Sequence, residues 1–70
     1  MSRPEPNEYR VRVTRGANGW EVRILSPAGG AVFERACGSE AEARTFASTV
    51  RQHIFWLSPG KFREYYRIPG

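Results

Sequence analysis

Between Tyr9 and Leu57 the hydrophobic period of the chain changes from two to about three and a half. Tyr9, Val11 and Val13 alternate with Arg10, Arg12 and Thr14, the pattern of a strand buried on one face. Arg15-Gly16-Ala17-Asn18-Gly19 is rich in residues that tolerate positive φ, and beyond it Trp20, Val22 and Ile24 alternate with Glu21 and Arg23. The two segments read as a hairpin. In the simplest register Tyr9, Val11 and Val13 oppose Ile24, Val22 and Trp20, and Arg12 meets Glu21 on the other face. Ser26-Pro27-Ala28-Gly29-Gly30 is a second turn, and Ala31 to Ala36 is a third strand returning antiparallel to the second. Its facing is a choice between two penalties: Phe33 inward takes Arg35 with it, Val32 inward takes Glu34. Phe33 inward is expected, because at a sheet edge a guanidinium can snorkel to water.

The pattern then becomes helical. Ser39-Glu40-Ala41-Glu42 is a capping box, with Ser39 as N-cap and two early glutamates at the positive end of the helix dipole. At about 100° per residue, Ala43, Phe46, Ala47, Val50, Ile54 and Leu57 fall on one stripe that should close over the hairpin. Ser58-Pro59-Gly60 ends this helix. Phe55 and Trp56 lie off the stripe, on opposite flanks. The tail from Lys61 to Ile68, a short second helix begun by Ser58 and Pro59, offers Phe62, Tyr65 and Tyr66 to cover them. Left uncovered, Phe55, Trp56, Phe62, Tyr65 and Tyr66 would form a surface for another protein or a second copy. The fold class is α+β: a three-stranded antiparallel sheet packed against one long helix (β-β-β-α) with a short C-terminal helix or ordered tail. One domain spans residues 9–68 and follows a flexible leader over residues 1–8, whose Pro4, Pro6 and Asn7 suit neither helix nor sheet interior.

Seventy residues hold a single core, and a domain this small buries only about 60% of its unfolded surface. The 40% hydrophobic content argues against a disordered chain. Eleven basic against seven acidic residues leave a net charge of +4, which favours polyanionic partners. Ten of the cations are Arg and one is Lys61, a bias that suits bidentate phosphate or carboxylate contacts but also follows from a GC-rich base composition. A single Cys and a single His exclude an internal disulfide and a structural zinc site, so no cofactor or metal is expected. No apolar run approaches the ~18 residues needed to cross a bilayer, and the first residues lack the apolar middle of a signal peptide. The expected setting is the cytoplasm, away from membranes.

Four groups of residues can carry function. Arg10, Arg12 and Arg23 share the outer sheet face, opposed by Glu21 and Glu34, and three guanidiniums on a pleated surface can follow a phosphate backbone. Tyr65-Tyr66-Arg67 and Phe62-Arg63 alternate aromatic and cationic side chains, a pattern that can stack single-stranded bases. Trp20, on the core face, is expected to be buried. His53 sits one turn after Thr49 at the edge of the apolar stripe; with no Asp in the chain it reads as a boundary histidine bonded locally or to solvent, not a catalytic one. Cys37 reads as a small buried residue at a strand end.

The order strand, strand, strand, helix, with Arg10, Arg12 and Arg23 on the outer face, resembles the amino-terminal DNA-binding domain of phage tyrosine integrases. That resemblance implies a sheet lying in the major groove. Gly19-Trp20-Glu21-Val22 followed by Ser39-Glu40-Ala41-Glu42-Ala43 is also similar to small bacterial families of unknown function and to sheet-and-helix antitoxins. The expectation is a small bacterial-type, non-enzymatic binding module that takes nucleic acid through its Arg-bearing sheet face. The alternative is a protein-interaction or self-association module using the C-terminal aromatic surface.

Overall fold

The computed structural model describes residues 7–17 and 19–69. Three strands, β1 (Arg10–Gly16), β2 (Gly19–Leu25) and β3 (Ala31–Cys37), form an antiparallel sheet in the order β1-β2-β3. Helix α1 (Glu40–Trp56) packs on one face, and a second helix, α2 (Pro59–Tyr66), follows after a two-residue turn. The α+β class and the order of elements are those expected from the sequence. The leader expected over residues 1–8 lies outside the described residues as far as position 6, but Asn7 is tied down. Its side-chain amide donates to the Leu57 carbonyl at 3.3 Å and its Oδ1 accepts from the Tyr9 amide at 2.9 Å, which fastens the start of β1 to the end of α1.

The hairpin register differs from the simplest one by two residues. Val11 pairs with Ile24, Val13 with Val22 and Arg15 with Trp20, so that Arg12 faces Arg23 and not Glu21. Only two residues separate Gly16 from Gly19, the loop length whose twist best matches the strands. Gly19 adopts φ 122°, and a Cβ there would lie 3.4 Å from the Cys37 carbonyl oxygen. A slip of two keeps every side chain on its face, so alternation alone could not reveal it. Trp20 is consequently half-buried, with the Arg15 guanidinium 5.9 Å from its ring centre.

Strand β3 faces as expected and adds an irregularity. Ile24 pairs with Phe33 but Leu25 with Ala31, a bulge that lets Val32 and Phe33 both pack against the core. Arg35 shares the inner face with Phe33 at the sheet edge, and its guanidinium rests 4.6 Å above the Phe46 ring. Ser39 caps α1, its hydroxyl accepting from the Glu42 amide at 3.1 Å. Glu42 reaches back to the Gly38 amide at 3.0 Å, one residue before the usual partner in a capping box.

The core has two connected halves. Near the hairpin loop, Val22, Cys37, Ala43 and Ala47 pack together, the two alanines allowing close approach of helix and sheet. At the other end Tyr9, Ile24, Val50, Phe62 and Ile68 form the larger cluster. Phe62 is fully buried, its ring 5.0 Å from Tyr9 and 4.8 Å from Tyr66 between centres. Helix α2 ends in a Schellman turn: the Ile68 amide donates to the Arg63 carbonyl and the Arg67 amide to that of Glu64, with Arg67 in the left-handed region at φ 54°. That turn returns Ile68 to the core.

Removing the Phe62 ring should cost about 3–5 kcal/mol, against a total stability on the order of 3–10 kcal/mol for a chain of this length. In urea titrations Phe62→Ala is therefore expected to be largely unfolded, whereas the exposed Trp56→Ala should stay within about 0.5 kcal/mol of the parent.

Candidate binding surfaces

Two surfaces and one buried-edge pair gather the residues singled out in the sequence. The first surface is the sheet face that α1 leaves uncovered. Arg12, Arg23 and Glu34 lie across it in one row, Thr14, Glu21 and Ala36 in the next, and Arg10, Leu25 and Ala31 in the row on the other side. Arg23 is engaged from both directions, its Nε 2.6 Å from Glu21 Oε1 and 3.1 Å from Glu34 Oε2. The hydrogen bond that Arg23 donates to Glu21, and then the charges of Glu21 and Glu34, raise its pKa above the ordinary value. The sheet face thus brings Arg10, Arg12 and Arg23 together but uses Arg23 internally. Arg10 and Arg12 are exposed and have no ion-pair partner among the described residues.

The second surface is aromatic. Phe55, Trp56 and Tyr65 are 70%, 74% and 62% exposed, so α2 does not cover Phe55 and Trp56. It cannot, because its inward stripe, Phe62 and Tyr66, points to Tyr9 and Phe33 on the sheet side, away from the outer side of α1. Phe62 is removed from any interaction surface by full burial, and Tyr66 is half-buried. Although Phe55 and Trp56 leave the helix 100° apart, their rings meet edge to face at 5.3 Å. The Tyr65 ring lies 4.5 Å from His53, which sits three residues before Trp56 on the same strip of α1. Two ring pairs, Phe55 with Trp56 and His53 with Tyr65, therefore form a broken arc, Trp56 standing one helical turn beyond His53. Arg51, one turn before Phe55, and Lys61, one turn before Tyr65, border it and are exposed. Arg51 was not singled out by the sequence pattern, although its spacing from Phe55 was the available signal.

His53 Nδ1 and the Tyr66 hydroxyl lie 2.6 Å apart, a bond from α1 to α2 in place of the local or solvent bond expected; the hydroxyl donates when Nδ1 carries no proton. Burial, and secondarily the neighbouring Tyr65, pushes the Tyr66 phenol from its usual 10.0 up to about 12. Cys37 is buried opposite Trp20 at the end of β3, a packing role. Among the described residues no group of three or more His, Cys, Asp or Glu side chains is placed to hold a metal ion, and no helix is long and apolar enough to cross a membrane. Comparison with protein-family models, with curated proteins and with solved structures finds no match.

The raised Tyr66 pKa has a defined sign. Below pH 10 the phenol is protonated in both folded and unfolded chains and its contribution is fully present; between 10 and about 12 only the unfolded chain ionises, and stability falls. Tyr66→Phe should show a shallower loss across that window when urea midpoints are compared at pH 9 and pH 11.5. An identical slope in both proteins would remove Tyr66 as the source.

Proposed function

We propose that this protein is a non-enzymatic nucleic-acid-binding module. One observation carries the reading, the unequal fate of its charges. Glu21 and Glu34 both bind Arg23, Glu40 binds Arg44 through a one-turn helical pair at 2.8 Å, and Glu42 caps the Gly38 amide. Arg10, Arg12, Arg51, Lys61 and Arg67 are exposed with no ion-pair partner among the described residues. Ion pairing among the described residues takes three carboxylates and two cations and leaves the net charge at +4, and with Glu8 and Glu64 as the other unpaired carboxylates the excess positive charge is carried at the surface by these cations. Free guanidiniums gain affinity for a phosphate backbone by releasing its condensed counterions, with no sequence requirement.

On the uncovered sheet face the contacts fall to Arg10 and Arg12, which point the same way from β1. Arg23 is a positioning element there, since freeing it would expose two unpaired carboxylates to the same phosphates. The reading makes no use of nucleophile or acid–base chemistry: the partner of His53 is a phenol, and Cys37 is inaccessible.

The test is fluorescence anisotropy with labelled oligonucleotides, single-stranded and duplex, between about 50 and 200 mM salt, the interval over which phosphate binding weakens steeply. The parent should bind at low salt, and Arg10→Gln with Arg12→Gln should weaken binding and flatten the dependence of log K on log salt by about 2, one for each lost contact. Binding that is absent at low salt, or a slope unaltered in that variant with affinity intact, would overturn the assignment of these two residues.

A further inference from the structure

We infer that the nucleic acid is single-stranded and that its bases stack on the arc formed by Phe55, Trp56 and Tyr65, with Arg51, Lys61 and Arg67 taking the flanking phosphates. This deepens the nucleic-acid reading and rests on it.

Three observations support stacked bases as the occupant. The first is the kind of apolar side chain left outside. The large exposed hydrophobic residues among those described are Phe55, Trp56 and Tyr65, all aromatic, with no exposed large aliphatic side chain beside them. Stacking requires π faces and little else, and this set supplies them. The second is charge. Arg51 and Lys61 each lie one helical turn from an aromatic of the arc, and Glu64 is the acidic residue on α2. A second copy of this chain would oppose one cationic border to another, whereas a polynucleotide brings a phosphate beside every base.

The third is Arg67. It closes the Schellman turn of α2 at φ 54°, ψ 41°, the left-handed geometry for which glycine is the usual residue. Arginine there is a local rule broken at a cost to the fold, and such exceptions concentrate where a side chain has work outside the fold. Arg67 is exposed, two residues beyond Tyr65, without an ion-pair partner among the described residues. Its guanidinium is thereby available to a ligand at the C-terminal end of α2.

The experiment compares a short thymidylate strand with a mixed-sequence duplex of equal length, each titrated into the full chain while anisotropy and tryptophan emission are recorded. The single strand should bind more tightly and quench Trp56. Trp56→Ala should lower its affinity about 5- to 150-fold, the range found when a stacking aromatic is truncated, while the salt slope stays unchanged because no phosphate contact is lost. Arg51→Gln should instead reduce that slope by about 0.7. Arg67→Gly should raise the urea midpoint and weaken strand binding together, opposite signs that a purely structural residue would not give. Circular dichroism of Trp56→Ala should match the parent, which excludes unfolding as the cause.

If the duplex binds as well as the strand and Trp56→Ala alters neither, the arc is not a stacking site, although the wider reading survives on Arg10 and Arg12. If neither probe binds at low salt, both readings fail. If the apparent mass of the parent rises with concentration and Trp56→Ala abolishes the rise, the arc is a self-association surface and the inference is overturned.

Discussion

The insertion of Phe62 between Tyr9 and Tyr66 is the interaction on which the arrangement depends. A three-stranded sheet and one helix leave the core open beyond the last turn of α1, where Tyr9, Ile24 and Phe33 would otherwise meet water. Phe62 closes that opening as the largest fully buried side chain among the described residues. Burying a ring of this size is worth about 1.5–3 kcal/mol, a substantial share of what so small a domain can hold. Its position is set from both ends of α2: Ser58 caps the helix start, and the left-handed turn at Arg67 folds Ile68 back into the same cluster. Asn7 adds a polar tie between the start of β1 and the end of α1.

The aromatic arc is a consequence of that closure. With Phe62 and Tyr66 committed inward one turn apart, Tyr65 must point outward, and α2 has no second apolar stripe to lay over the outer side of α1. Phe55 and Trp56 therefore stay in water, though nothing in the packing of the core requires them to be large or aromatic. Alanine or glutamine at either position would serve the helix at least as well. Their presence is unexplained by the fold.

The sequence carried the order of elements, the capped helix and its buried stripe because each was written in a local period or a local cap. Ala43, Ala47 and Val50 needed no knowledge of their neighbours to be placed. The features it hid are those with equivalent local signatures. A hairpin slipped by two residues preserves every alternation, so the pairing of Arg12 with Arg23 came into view only with the two-residue loop. The bulge at Val32 dissolved a choice that a strict period of two had made to look exclusive. The fate of the sheet cations was hidden for a related reason: which of three arginines is neutralised depends on cross-strand geometry, and Arg23, the central one, sits between two carboxylates. For the C-terminal aromatics, spacing marked Phe55 and Trp56 as outside the stripe but could not say that the tail would spend its apolar side chains on the far side.

The two cationic surfaces lie on opposite sides of the molecule. Arg10 and Arg12 face away from α1 across the sheet, and the arc faces away from the sheet across α1. Between them stand one sheet and one helix about 10–12 Å across. Duplex DNA has a persistence length of about 50 nm, and turning it around a body this thin would cost more than these few cationic contacts return, so a duplex can occupy one side only. A single strand bends at every backbone bond and can reach both, turning past the end of the sheet where Tyr9 and Phe62 meet. The separation of the cations is awkward for a groove-reading domain, and on the proposal of single-strand binding it would let a flexible strand be held by its bases on one side and by its phosphates on both.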